Sequence, residues 1–397
     1  MSAAAMLVTF FIIAGSIPAA AVTWSDSETR LTTYPDFDGV PCITQTNDGS
    51  LWIFWTRRVG RAYDLLYMIS PNQGATWSQE TQLTTDESAD VGVSAYQTSD
   101  GSLWTVWASD RTGNYDLYYK ISSDLGASWS EATQLTSHPA SDLKPAVRQM
   151  SDGQIWVVWA SSRSGSYDLY RKTSFDNGIS WSDETRLTTD SSLDKMPSLA
   201  QMSDGSIWLV WASDRTGNYD LYYKISSDLG ASWSEATQLT SSSAIDSNPS
   251  ILQTIDGRIW IFYSLRKASA TATDDIYYMY SADNGVTWSD NVQFTTDKYD
   301  DIWPSVAQTR LGRVWVVWVS DRADQPDWGN LDIYCRASLA GDINEDNKVD
   351  IRDLTIVARS FGCFEGEPGY DPAADVNGDG IVEMRDLRIV AYYLGKT

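Results

Sequence analysis

Histidine occurs once in this chain, at position 138, and cysteine three times, at 42, 335 and 363. Three scattered cysteines are too few for a disulfide framework, and at most one pair can bridge. The lone His138 reads as an exposed loop residue without a role in chemistry. Basic residues are also short: 29 Lys and Arg stand against 53 Asp and Glu, a net charge of -24. That balance excludes nucleic acid or an anionic membrane as partner, since both need a basic face. It suits solubility outside the cell. Long apolar runs are missing except at the start, where residues 6–21 read "MLVTFFIIAGSIPAAA" and end with small residues at Ala19 and Ala21. The run is too short for a comfortable span and predicts a secretory signal over residues 1–21, with a secreted, extracellular or cell-surface-attached product and no membrane span. Helix formers stay scarce until the last sixth of the chain.

What is abundant is Trp and Tyr, at 19 and 21 against 9 Phe. The string "SSDLGASW" stands at residues 122–129 and again at 226–233, with looser copies ending at Trp77, Trp181 and Trp288. A spacing of about 52 residues is the signature of a propeller or solenoid. Each unit holds four strand-like runs; in residues 197–240 these are "PSLAQM", "SIWLVWAS", "YDLYYKIS" and "WSEATQLT". Asp-Gly pairs suited to tight hairpins recur at Asp48, Asp100, Asp152, Asp204 and Asp256. Four antiparallel strands make one blade, and first-strand segments around Pro41, Val93, Pro145, Pro197, Pro249 and Pro304 count six. The sixth unit lacks a fourth strand. Residues 24–33, "WSDSETRLTT", match "WSDETRLTT" at 181–189 and can supply it. The expected fold is mainly β: a six-bladed propeller over residues 22–339, closed by the N-terminal strand so that no sheet edge is left open.

All but two of the Trp residues occupy three repeating positions, exemplified by Trp208, Trp211 and Trp233, and read as scaffold. Trp303 and Trp328 have no counterparts. The S-x-D-x-G-x-S/T-W turn resembles the Asp-box (BNR repeat) of sialidase-like propellers, and the resemblance covers residues 24–339. In such a turn Asp and Ser oxygens cap backbone N–H groups, Gly supplies a positive φ and Trp packs into the blade. The turn lies on the face opposite the loops joining second to third strands and reads as a fold device. The resemblance implies sialidase chemistry, with an arginine triad, a Tyr–Glu nucleophile and an Asp acid/base. Where that family carries Arg-Ile-Pro on the first strand of its first blade, this chain has Gly39-Val40-Pro41, so the first arginine is missing. Arg57, Arg58 and Arg61 lie nearby. Catalysis is therefore left open.

Arg111, Arg163, Arg215 and Arg322, with Lys267 in blade five, follow the second strands. A ring of Asp38, Asp90, Asp142, Asp194, Asp246 and Asp301 stands before the first strands. Their regularity suggests a repeated Arg–Asp brace; the alternative is a charged ring that binds a cation or a sugar. The pattern also resembles TolB-type propellers, which bind proteins. Function should break the symmetry, and the departures cluster in neighbouring blades five, six and one: residues 267–274, residues 322–330 with Trp328, "KYDDIWP" with Tyr299, Asp301 and Trp303, and "RRVGRAYD" with Arg57, Arg58 and Arg61. These seven residues are the candidate ligand-binding set, and a glycan suits their aromatic and charged character. The leading expectation is a carbohydrate-directed propeller. A sialidase-type exo-glycoside hydrolase and a TolB-like protein-binding propeller are the alternatives.

Residues 340–397 change character. "GDINEDNKVDIRDL" and "ADVNGDGIVEMRDL" carry D-x-N-x-D at the head of two twelve-residue loops, the spacing of oxygen ligands around Ca²⁺. The first loop offers Asp342, Asn344, Asp346, the Lys348 carbonyl, Asp350 and Asp353; the second offers Asp375, Asn377, Asp379, the Ile381 carbonyl, Glu383 and Asp386. Each runs into one apolar helix. The duplicated loop-helix resembles a type I dockerin, a small α-helical module. The resemblance implies two calcium ions and a cohesin partner on a scaffold or cell surface. The recognition places hold Ile351-Arg352 and Met384-Arg385.

Overall fold

The computed structural model describes residues 24–25, 28–268, 273–310, 312–322, 331–338, 349–364, 367–371, 374–376 and 381–394. Six four-stranded antiparallel sheets follow one another in chain order. The first strands, Asp38–Gln45, Asp90–Gln97, Asp142–Gln149, Asp194–Gln201, Ile245–Gln253 and Asp301–Gln308, together line a central channel. Second strands such as Ile207–Ser213 are buried along their whole length, which explains their near-continuous apolar sequence. Every interior layer lies between two blades. Trp208 of blade four, for example, packs in one cluster with Ile259 and Tyr263 of blade five.

The last sheet has the order expected: Thr29–Arg30 pairs with Asp332–Ala337, ahead of Val314–Ser320 and Asp301–Gln308. The N-terminal strand reproduces blade three in detail. Arg30 faces Tyr334 as Arg186 faces Tyr170. Arg30 pairs with Asp332 at 2.6 Å, as Arg186 pairs with Asp168 at 2.7 Å. Trp24 completes the replacement, meeting Phe294 edge-on at 4.8 Å between ring centres.

The repeated turn fastens blade to blade. In blade three the Asp176 carboxylate accepts the Ser180 N–H at 2.8 Å, and the Ser174 hydroxyl accepts the Gly178 N–H at 2.8 Å. Gly178 has φ +82, and a Cβ on it would overlap the Trp104 ring of blade two. Gly74, Gly126, Gly230 and Gly285 seat Trp315, Trp52, Trp156 and Trp208 in the same way. On this same face, Gln45, Gln97, Gln149, Gln201, Gln253 and Gln308 each accept a backbone N–H from the hairpin turn of an adjacent blade, at 2.5–2.8 Å. Each also donates to the glycine carbonyl of its own turn. This glutamine ring closes without a break across the join between blades six and one.

The C-terminal module contributes helices α1 (Ile351–Ser360) and α2 (Met384–Tyr393), each opened by a capping box. Its small core holds Val349, Val357, Ala374, Val382 and Val390. No helix among the described residues is long and apolar enough to cross a membrane. Among the described residues no two cysteines are joined: Cys42, Cys335 and Cys363 are free.

Candidate functional site: the channel mouth

Each first strand carries a bulge two residues in, where its register with the second strand slips. The bulged residue takes a left-handed backbone: φ is 50 at Val40, 69 at Gly92, 54 at Lys144, 57 at Met196, 53 at Asn248 and 57 at Trp303. Outside glycine this conformation costs about 1–2 kcal/mol, and most for a β-branched residue such as Val40. Five non-glycine residues in one ring bear that strain, and strain of this kind concentrates at functional sites. All six line the channel, and the proline or valine that follows lines it too. The bulges lie level with the ends of the second strands, since Asp38 pairs with Arg57 and Asp301 with Ser320. They therefore ring the mouth on the face opposite the Asp-box turns.

The occupants of this ring are chemically unequal. Trp303 is half-buried. Its N–H donates to the Ser264 hydroxyl of blade five at 3.0 Å, and its ring meets Phe37 at 6.1 Å. Phe37 in turn meets Tyr63 edge-on at 5.6 Å. Lys144 reaches in from blade three, its ammonium over the Trp303 ring at 5.0 Å from the centre. Gly92, between them in ring order, leaves room for its stem: a Cβ there would stand 3.8 Å from the Lys144 side chain. Burial without a counter-charge lowers Lys144 to about 8. It remains cationic at neutral pH.

The Arg–Asp pattern is a brace. Arg111, Arg163, Arg215 and Arg322 bind Asp90, Asp142, Asp194 and Asp301 at 2.8–3.0 Å. In blade one Arg57 does the same for Asp38 at 2.6 Å and also binds Glu80. All six first-strand aspartates are fully buried. Burial pushes Asp301 up to about 7 even though Arg322 opposes the shift. No group of three or more His, Cys, Asp or Glu among the described residues is gathered to hold a metal ion.

Of the six described residues among the seven singled out in the sequence, the structure brings only Trp303 into the channel lining. Arg57 and Asp301 are buried and engaged in braces. Arg58 is exposed on the rim and pairs with Asp36 at 3.3 Å; Arg61 is also exposed. Tyr299 is half-buried beside Lys298, whose ammonium lies 5.2 Å from its ring centre. Trp328 lies outside the described residues, as do Asp342, Asn344, Asp346, Lys348, Asn377 and Asp379. His138 is exposed, as expected. Lys144, Phe37 and Tyr63 were not anticipated. A signal for Lys144 was available: the residue before each first-strand proline varies freely within the most repetitive part of the unit. At position 39 a Cβ would overlap Phe37 and stand 3.0 Å from Trp303. Aromatic rings fill the space in which the sialidase arginine would begin.

In the C-terminal module three of the described loop residues bury their carboxylates. Asp353 and Asp386 are fully buried, and Asp375 is nearly so. Asp353 and Asp386 each accept a backbone N–H from the residue three before, Asp350 and Glu383, at 2.8 and 2.7 Å. Tyr370 donates to Asp375 at 2.8 Å. Carboxylates buried in so small a core carry a desolvation cost that a bound divalent cation offsets. The described carboxylates are hard oxygen donors of the kind calcium takes.

Comparison with known proteins agrees with this anatomy. The BNR repeat-like domain matches residues 16–247, and the type I dockerin domain matches residues 340–395. No curated protein matches the chain. Among solved structures, a protein of unknown function from Dyadobacter fermentans is similar with a TM-score of 0.65 at 15% identity, over 81% of this chain and 99% of that one. The NanB sialidase of Streptococcus pneumoniae is similar at 0.61 and 10% identity, over 80% and 71%. An α-L-arabinanase of Penicillium chrysogenum, complexed with arabinobiose, is similar at 0.58 and 15% identity, over 80% and 97%. Identities this low speak for the shared fold alone. The chain belongs to the BNR repeat-like family, as a six-bladed propeller followed by a type I dockerin domain.

Proposed function

We propose that the protein is a secreted, carbohydrate-directed propeller that binds a glycan at the channel mouth and is held by its dockerin to a cohesin-bearing scaffold or surface protein. The observation that carries this reading is Trp303, a half-buried indole held in the mouth by a left-handed bulge and supported by Phe37 and Tyr63. Flat aromatic faces accept the CH faces of sugar rings, and ligand pockets combine such surfaces with a few polar groups. The rim offers Arg58, Arg61 and Tyr299 for hydroxyl contacts.

Two calcium ions in the dockerin loops would fix the orientation of α1 and α2. Ile351 and Met384 stand 68% and 52% exposed at matching places, and Arg352 and Arg385 follow them, so either helix can present an apolar and basic start to a cohesin. A polysaccharide pull-down with the intact protein tests the carbohydrate reading. Trp303→Ala should lose most of the bound fraction at a temperature where melting shows the variant still folded. Equal retention by wild type and variant would remove the proposed site.

A further inference from the structure

The channel has the opposite charge balance to the rest of the molecule. Its lining includes two cations, Lys144 and Arg148, and no carboxylate among the described residues. In a chain with 53 acidic and 29 basic residues this is a local reversal of sign. Both cations lie on the first strand of blade three. Neither forms an ion pair among the described residues: the Lys144 ammonium rests on Trp303, and Arg148 donates to the Val147 carbonyl at 3.2 Å and lies over Tyr96. Every brace arginine has its aspartate, whereas the channel cations are left for something else.

We infer that the ligand of the mouth is a hexuronic acid residue of a glycan, its ring laid on Trp303 and its carboxylate received by Lys144. The inference rests on the carbohydrate reading above and adds the ligand's charge. A full negative charge attracts an ammonium more strongly than the quadrupole of an aromatic face does. An arriving carboxylate therefore draws the ammonium off the indole, and the same movement uncovers the face on which the sugar stacks. In a hexuronate such as galacturonate the C5 carboxylate is equatorial and lies beside the ring plane. A stacked ring thus delivers it to the flank of Trp303, where the Lys144 stem passes Gly92. A nonulosonic acid carries its carboxylate on the anomeric carbon, axial in the α-linked form, so it points away from a stacked face. Arg148 lies four residues further along the strand, about 13 Å at the usual rise. It supplies field within the channel and does not share the same carboxylate.

Calorimetric titration of the full-length protein tests this with four probes: a galacturonate tetramer, its carboxyl-reduced counterpart, sialyllactose and a sulfated neutral tetrasaccharide. The galacturonate tetramer should bind at least about ten-fold more tightly than the reduced one. Lys144→Met, which keeps the apolar stem, should abolish that preference while leaving the reduced probe's affinity unchanged. Trp303→Ala should weaken both uronate and reduced probes. If Lys144→Met binds the tetramer as wild type does, or if the sialylated or sulfated probe binds more tightly, the uronate assignment is overturned and the carbohydrate reading stands. If Trp303→Ala binds every probe as wild type does, the carbohydrate reading itself falls. Thermal melting of both variants guards against loss through unfolding.

Discussion

Asp246 shows how one substitution strands another residue. The other first-strand aspartates are held by an arginine, and those of blades one, four and six also accept an indole N–H, as Asp194 does from Trp211 at 2.9 Å. In blade five Tyr263 takes the place of that Trp and Leu265 the place of the bracing serine, while Lys267, at the arginine position, is exposed. Neither Asp246 oxygen nor the Tyr263 hydroxyl has a hydrogen-bond partner among the described residues. Burial pushes Asp246 up to about 6. Its folded value stands above the unfolded one, so the penalty is absent below about pH 4 and grows until pH passes about 6. Asp246→Asn should therefore stabilise the protein by about 1–3 kcal/mol at pH 8 and not at pH 4, read from urea midpoints at both values. The residue scale is also where the sequence was least legible. Charged letters look alike whether paired or free, so Arg57 and Asp301 resembled ligand contacts although both lie buried in braces. Lys144 was marked only by the free variation before the first-strand prolines; a backbone bulge, and not its neighbours in the chain, turns it into the channel.

At the scale of elements the sequence was far more open. A turn written five times, with its spacing intact, implied one copy per blade, and the strands fall where alternation and Asp-Gly pairs put them. What the letters did not reveal is that the Asp-box glycine serves the preceding blade as much as its own. Gly178→Ala should cost about 3 kcal/mol or more, since the methyl group meets both a positive φ and the Trp104 ring. Gly153→Ala, at φ +86 with nothing within 4 Å, should cost only about 1 kcal/mol. Equal shifts in urea midpoint for the two variants would refute the fastening role. The glutamine ring escaped notice for a related reason: Gln at the end of a strand is unremarkable until the adjacent turn is seen beside it.

For the whole molecule, closure by the N-terminal strand and the separate helical module were both readable, the first from a ten-residue match and the second from loop spacing. Removing residues 24–33 should open the outer edge of the last blade. The shortened chain is expected to melt at a lower temperature and to self-associate in sedimentation velocity; a monomer of unchanged stability would contradict ring closure. Chelation of calcium is expected to abolish cohesin binding and to remove a low-temperature calorimetric transition. The propeller transition should stay in place, because its core contains no residue of the loops. The six bulges have a further consequence. Five of them hold a side chain at a preset angle over a common opening and Gly92 leaves its place clear, while hydrogen bonds elsewhere carry the wheel. Such a mouth is a set of six sockets, and exchanging the plug at position 40, 196 or 248 should retune what is bound while sparing the frame that presents it.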